Sequence, residues 1–433
     1  MSLQTVLHLS RLRKNLRRKP SELEKMQIKK LRAIVRHAYR DIPFYHRKFK
    51  NARIDPDQIR SIEDLKKIPF TSRSEVQAAS SREMVASNLD PCRLVKRRTS
   101  GSVGQPLTVF VDEGTARFEA ALWLRAMFEN GLRLRDKLVV IHDPASKFLE
   151  NGKWLKNLGI IRRENISILE DAKNQLALLK KNEPEVIKSY PSALAIIANL
   201  CRARGCSIKP RLIFTGAELL DEATREFISS TFDAEVLDNY GCNEFSLLAW
   251  ECGQHLGYHI NSDSVVMEFI NRGERAASGE RGEIVCTGLV NQVMPLIRYR
   301  VGDVGISSDE QCSCGRILPL MEVLEGRADD FLVTLDGKLV SPLIFHPYPF
   351  ENSEWIKQFK IVQEKRDKLI VQLVIKEDAG DVAKIITEAR VRLIELFGTG
   401  MQVEFRTVKS IERDASGKLR KIVSHVSIND GLH

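Results

Sequence analysis

The 433-residue sequence contains no run of roughly 18 uninterrupted apolar residues, which excludes an ordinary membrane-spanning helix. It also lacks an N-terminal apolar core followed by a small-residue cleavage site, the mark of a secretory leader. Its eight cysteines, at 92, 201, 206, 242, 252, 286, 312 and 314, are too dispersed for the disulfide framework of a small secreted domain. A cytoplasmic protein with free thiols is the expectation, and only the close pair Cys312 and Cys314 stands apart. No internal repeat and no low-complexity tract occurs, so repeat architectures are excluded.

Acidic residues are scarce at one end only. Residues 1–50 carry 15 Lys or Arg against three acids, a net +12, while the whole chain is +10, which leaves −2 for everything after. The basic character is therefore local rather than a chain-wide nucleic-acid signature. A solvated helix face is its simplest meaning. An anionic ligand, a membrane surface or a nucleic acid are the functional ones, and LQTVLHLSRLRKNLRRKP is amphipathic but without Trp or Phe anchors.

Apolar residues make up 43% of the chain, enough to bury at least one large core. The first 50 residues read as helices broken at Pro20 and Pro43, with SELE at 21–24 as a capped start. From about 95 to 300, short apolar runs (Leu107 to Val111, Leu138 to Ile141, Arg211 to Phe214, Gly282 to Cys286) alternate with helical patterns such as TARFEAALWLRAMFENG, which predicts α/β layering. After Gly326 the texture changes. FKIVQEK, KLIVQLVI and QVEFRTV read as strands, and Val382, Ile385, Ile386, Ala389, Leu393 and Leu396 share one helical face that ends at Gly398. The predicted organisation is a large N-terminal α/β domain, residues 1–326, and a smaller mobile α+β C-terminal domain, residues 327–433, large enough for its own core.

The stretch RRTSGSVGQPLTV concentrates Thr99, Ser100, Gly101, Ser102 and Gly104 in six positions. Glycine lets the backbone approach a ligand closely, consecutive amides form an anion-binding concavity, and the hydroxyls add donors. Such a loop suits phosphate, although a plain turn uses the same residues. It lacks the Gly-Lys-Ser/Thr of a P-loop and the G-x-G-x-x-G dinucleotide spacing.

Four further clusters follow in order: FTGAELL (214–220), NYGCNEF (239–245), LIRYRVGDVG (296–305) and RDASGKLRK (413–421), with LEGRADDF between the last two. As an ordered set they resemble the motifs of the adenylate-forming superfamily of acyl-CoA ligases. Over roughly residues 20–425 the chain resembles the phenylacetate-CoA ligase family, especially its branch associated with capsular polysaccharide biosynthesis; LRAIVRHAYRDIPFYHRKF is similar to that branch's N-terminal segment.

Activating a carboxylate with ATP requires in-line attack at the α-phosphorus, so the protein must hold the triphosphate and offset the charge that develops. The resemblance implies a role for each motif. The glycine-rich loop, Thr99 to Gly104, would hold the outer phosphates. Gly216, Ala217 and Glu218 would leave room beside the adenine. Asn239, Tyr240 and Gly241 would line the nucleotide, with Tyr240 near the base. Glu244 would supply a carboxylate for Mg²⁺. Asp303, in a Gly-Asp turn, would take the ribose hydroxyls, and Arg327 would lie near ribose or phosphate. Asp329 would be the hinge of a swinging small domain that lets one site run two reactions. Lys418 would bring positive charge to the α-phosphate. One departure is visible: Gln105, Pro106 and Leu107 offer no lysine where many superfamily members have one, so phosphate contacts fall on backbone amides and hydroxyls.

ECGQHLGYH and CSCGR supply Cys252, His255, His259, Cys312 and Cys314. Three thiolates and one imidazole make an ordinary tetrahedral zinc set, and independent buried thiols are the alternative. The resemblance points to Cys252, His259, Cys312 and Cys314, with His255 the competing imidazole. Four ligands leave no open position, so the expected zinc is structural.

The expected activity is ATP-dependent, AMP-forming activation of a carboxylic acid followed by transfer to coenzyme A, with ATP, Mg²⁺, coenzyme A and zinc as cofactors. An adenylyltransferase, or transfer to an acceptor other than coenzyme A, shares the first half-reaction. A nucleic-acid or membrane-binding module would rest on the N-terminus alone. The expected partner is a small carboxylic acid and not a nucleic acid, with a homodimer and membrane-surface contact kept as further expectations. Phe118, Trp123, Phe128, Tyr190 and Pro191 are candidate walls for the acid and equally good core residues.

Overall fold

The computed structural model describes residues 2–98, 107–142, 162–327, 332–336, 339–340, 350, 353, 355–377, 379–380, 382–412 and 421–426. The apolar runs Lys137–His142, Val186–Lys188, Leu212–Phe214 and Glu235–Leu237, with Arg162–Ser167 at one edge, form a five-stranded parallel sheet. Leu138 and Val140 enter a core with Ala121, Leu122 and Leu124 of the helix Glu113–Glu129. Val139 and Ile141 face Leu176, Ile197 and Ile228 of the helices on the other side. Burial on both faces is why these strands read as continuous apolar runs rather than as alternating ones. From Lys137–His142 the chain steps outward to Arg162–Ser167 and then crosses back to Val186–Lys188. Winding reverses there, and the carboxyl ends of strands at such a reversal are where parallel sheets accept ligands.

The predicted alternation stops at Leu237. Beyond it an eight-stranded antiparallel sheet runs in the order Glu274–Arg275, Val265–Asn271, Arg281–Gly288, Tyr299–Ser308, Leu320–Arg327, Tyr258–Ile260, Ser246–Glu251, Asn239–Cys242. The run at Gly282, expected among alternating helices, belongs to this sheet, because connections as short as Arg272–Gly273 have no room for a crossover helix.

At the N-terminus, helix α1 (Leu3–Asn15) is capped by the Ser2 hydroxyl, which accepts from the Thr5 N–H. Helix α2 (Pro20–Asp41) begins ahead of SELE, with Lys19 as N-cap and no side-chain cap. A proline in the first turn loses no bond, since those N–H groups have no intrahelical acceptor, and Pro43 opens the next helix, Pro43–Asn51, in the same way. Leu9 and Leu12 of α1 join the core under Glu113–Glu129. There the fully buried Arg125 donates to the Leu12 carbonyl at 3.2 Å, to Asp263 at 2.6 Å and to Asn261 at 2.5 Å, tying α1 to the antiparallel sheet. Removing one partner of such a pair strands a buried charge, at about 3–5 kcal/mol.

Toward the C-terminus a four-stranded sheet runs Gln402–Thr407, Lys368–Ile375, Ile356–Lys365, Ile422–Ser424, covered by the helix Val382–Phe397. Ala389, Leu393 and Phe397 are the buried residues of that helix, on the face the 3.6-residue period predicts. Their core is drawn from Leu332 to Ile422 alone. The chain is thus a large mixed α/β unit with a smaller α+β unit. Among the described residues no helix is long and apolar enough to cross a membrane.

Candidate functional site

Asn239 opens the strand next to the parallel sheet, and its amide donates to the Thr215 carbonyl at 3.1 Å. Gly216 lies against this strand so tightly that a Cβ there would sit 2.7 Å from the Asn239 carbonyl oxygen. Ala217 follows with φ +68°, and Glu218 turns away to accept from the Ser192 N–H and hydroxyl, both at 3.0 Å. A Cβ on Gly241 would collide with the Ser246 carbonyl, so only glycine lets this hairpin close and carry the turn that holds Glu244.

The antiparallel sheet curls. Tyr240 on its edge strand donates to Asp303 Oδ2 at 2.7 Å, although the strands Ser246–Glu251, Tyr258–Ile260 and Leu320–Arg327 lie between them in the sheet order. Burial, and then the Asp303 charge, hold the Tyr240 phenol well above its ordinary pKa, so it remains a donor. Asp303 pairs in register with Arg327, the last residue of the neighbouring strand. Glu244 accepts from the Tyr299 hydroxyl at 3.2 Å and faces the Arg73 guanidinium at 3.5 Å. Six predicted nucleotide-side residues (Gly216, Ala217, Asn239, Tyr240, Gly241 and Asp303) therefore meet in one region, with Glu244 on the adjoining turn. The loop residues Thr99, Ser100, Gly101, Ser102 and Gly104, together with Asp329 and Lys418, lie outside the described residues. Lys421 of the same C-terminal motif reaches Asp221 at 3.4 Å, just after the Gly216–Glu218 turn.

Sequence reasoning missed Arg73, Lys188 and a buried carboxylate pair. Lys188 stands at the carboxyl end of its strand at the winding reversal, its Nζ 3.2 Å from the centre of the Trp123 ring. The Trp123 indole donates to Ser246 Oγ at 3.1 Å, placing this aromatic between the parallel sheet and the Glu244 turn. Of the other candidate walls, Phe118 belongs elsewhere: it faces His8 and Lys30 of the N-terminal helices. Behind Asn239, Asp238 accepts from the Thr215 hydroxyl at 2.5 Å and from the Tyr258 hydroxyl at 2.9 Å. Burial, and then the charge of Glu251, push Asp238 up to about 7. Two signals existed for this pair, an Asp directly before NYG and a Glu directly before Cys252, but neither spacing indicates contact.

Cys252, His259, Cys312 and Cys314 come together with their ligand atoms within 4.8 Å of one another. Cys252 Sγ lies 3.6 Å from Cys312 Sγ, and His259 Nε2 lies 3.4 Å and 3.3 Å from Cys252 and Cys314. A tetrahedral zinc site separates its sulfurs by about 3.7 Å, whereas a disulfide would bring them to about 2 Å. His255 is not part of the group; it sits in a turn at φ +50°, 3.8 Å from Glu251 and 4.0 Å from Glu235. Burial, and then Arg316, push His259 down to about 4, so its ring is neutral near pH 7.

A family model described as the CapK C-terminal domain matches residues 332–425. The phenylacetate-coenzyme A ligase of Escherichia coli (strain K12) is 26% identical over 427 residues, covering 93% of this chain and 94% of that protein. The phenylacetate-coenzyme A ligase of Thermus thermophilus is 27% identical over 360 residues, 80% of each chain. The chain is thus similar to phenylacetate-coenzyme A ligases over nearly its whole length. Its fold agrees: 2-hydroxyisobutyryl-CoA ligase, solved in its postadenylation state with 2-HIB-AMP, matches 93% of this chain and 90% of that one with TM-score 0.77 at 21% identity. That likeness gives the chain the adenylate-forming fold, a large mixed domain followed by a small C-terminal one.

Proposed function

We propose that this protein activates a carboxylic acid with ATP and transfers the acyl group to coenzyme A. The acid's carboxylate oxygen attacks the α-phosphorus, the bond to pyrophosphate breaks, and the resulting acyl-adenylate is attacked by the thiol with release of AMP. The observation that carries this reading is the Tyr240–Asp303 hydrogen bond, formed beside the Gly216–Ala217 turn in a chain whose full-length relatives are phenylacetate-coenzyme A ligases.

In this reading Gly216 and Ala217 leave space for the adenine, Tyr240 packs beside it, and Asp303 accepts from the ribose hydroxyls. Arg327, in register with Asp303, serves the same end of the nucleotide. Thr99 to Gly104 hold the outer phosphates, Asp329 is the pivot, and Lys418 carries charge to the α-phosphate. The ion pair of Lys421 with Asp221 supports a C-terminal unit that works against this face. Glu244 is the carboxylate suited to Mg²⁺, an ion that would neutralise the triphosphate. Tyr299 and Arg73 hold Glu244 in place without exhausting its lone pairs. The Cys252, His259, Cys312 and Cys314 set suits a structural zinc, a closed donor set with nothing left over for substrate. ATP and coenzyme A as substrates suit a cytoplasmic location.

The test is a screen of carboxylic acids by pyrophosphate release, with hydroxylamine trapping of the acyl-adenylate. An acid that gives both signals, and AMP release that depends on coenzyme A, is the expected result. No acid-dependent pyrophosphate across aryl, aliphatic and hydroxy acids overturns the reading, and trapping without coenzyme A dependence replaces the second half-reaction with another acceptor.

A further inference from the structure

The +12 charge of the first 50 residues is not used by the site described above. Helices α1 and α2, the helix Glu113–Glu129 and the segment 289–292 enclose a cavity of about 550 Å³. Leu12 and Phe118 line it with apolar surface, and His8, Arg11, Arg18 and Lys30 line it with cations or a protonatable ring. Asp263 nearby is bound by Arg125 at 2.6 Å and Asn15 at 3.0 Å and offsets part of the charge of Lys30, whose ammonium donates to the Asp263 carbonyl at 2.6 Å; Arg11 and Arg18 carry the rest of the positive charge of the groove. Burial first, and then the charges of Arg11 and Lys30, lower the His8 pKa.

The outer surface of α1 continues this site. Leu3, Leu7, Arg11 and Lys14 recur at three- and four-residue spacing and so form one ridge, apolar at its start and cationic after, with Arg18 in the bend that follows the helix. Leu3 is 74% exposed, Leu7 49% and Val6 36%. A single exposed leucine is ordinary, but an exposed apolar turn beside a basic groove is how interfacial helices are built. The opposite side of α1 is anchored by Leu9 and Leu12 in the core, so the ridge is presented by a folded helix. A polynucleotide would gain nothing from these leucines, and the one ring on α1, His8, packs edge-on against Phe118.

We propose that α1 and the cavity behind it dock the protein on an anionic lipid bilayer. Leu3, Val6 and Leu7 enter the interface, and His8, Arg11, Arg18 and Lys30 receive a headgroup phosphate. The experiment is sedimentation of the full-length protein with vesicles of phosphatidylcholine alone, or of phosphatidylcholine mixed with phosphatidylglycerol. Retention by the mixed vesicles only, weakening as salt is added, is expected. Leu3→Asp with Leu7→Asp abolishes it at low salt. Arg11→Glu with Arg18→Glu weakens it at least about tenfold, since each cation near an anionic surface adds roughly fivefold. Val391→Asp, at a residue of the C-terminal helix that is 50% exposed, leaves it unchanged. Thermal unfolding of each variant confirms that the fold survives. The proposal is overturned by no retention on mixed vesicles, by wild-type retention of the leucine variant, or by RNA that competes for the site with equal affinity in wild type and leucine variant. Because the readout is binding and not turnover, its failure is separate from a failure of the ligase reading.

Discussion

The cysteine–histidine cluster and the Tyr240, Glu244 and Asp303 group are built on the same curled sheet, yet their polar atoms face different partners. In the first, four donors converge within 4.8 Å on a common centre. In the second, a phenol donates to each carboxylate, Tyr240 to Asp303 at 2.7 Å and Tyr299 to Glu244 at 3.2 Å, with Arg73 3.5 Å from Glu244. A closed set of soft donors can only bind an ion and staple chain segments, whereas hard carboxylate oxygens suit hydroxyl donors and Mg²⁺. One group should therefore matter to stability and the other to turnover.

The sharpest way to break that contrast is to open the closed set. Cys312→Ser should lose bound zinc and about 4 kcal/mol of stability where ambient zinc exceeds its Kd a thousandfold, with turnover per folded molecule retained. Metal analysis and thermal unfolding, with and without chelator, check it; purified wild type without zinc and indifferent to chelator ends the structural-zinc reading. Next in size is Lys418→Ala, which should cost about 10²- to 10³-fold in acid-dependent pyrophosphate release while ATP binding and the unfolding midpoint stay put. An unchanged rate removes Lys418 from the reaction. Asp303→Asn should weaken ATP binding roughly ten- to a hundredfold through loss of a charged hydrogen bond, again without destabilising the fold. A large drop in unfolding midpoint with unaltered ATP affinity would reverse the assignment.

The smallest effect concerns pH. Asp238 has a folded-state pKa raised to about 7 from an ordinary 3.8, so between these values the folded chain binds more protons than the unfolded one. Its contribution therefore makes stability fall as pH rises through that window and level off above it. Asp238→Asn, which cannot titrate and keeps an acceptor for one of the two hydroxyls that Thr215 and Tyr258 donate to separate Asp238 oxygens, should flatten that part of the profile. Denaturant unfolding at several pH values decides it: an unchanged slope in the variant means another group is responsible.

Much of this was legible in the chain. The parallel strands declared themselves as apolar runs because both their faces are buried, and the C-terminal helix did so through the spacing of Ala389 and Leu393. The antiparallel sheet beyond Leu237 was harder to read. Strands such as Arg281–Gly288 and Tyr299–Ser308 carry glycines and arginines among their apolar residues, and pairing order is a long-range property that no local period reports. The helices do break at Pro20 and Pro43, and what misled in a small way was the capped start read at SELE, since α2 already begins at Pro20 without a side-chain cap.

The sequence by itself determined which residues are available for chemistry: the glycines that must remain bare, the carboxylates, the lone Cys-x-Cys and the basic first helix. Only the tertiary structure decided which of them meet. Residues 63 apart, Tyr240 and Asp303, bond because the sheet curls. His259 rather than His255 joins the cysteines because one lies on a paired strand and the other in a turn that leads it to Glu251. The reason is general: residue identity sets what an atom can donate or accept, while strand order and register set the distance at which it does so.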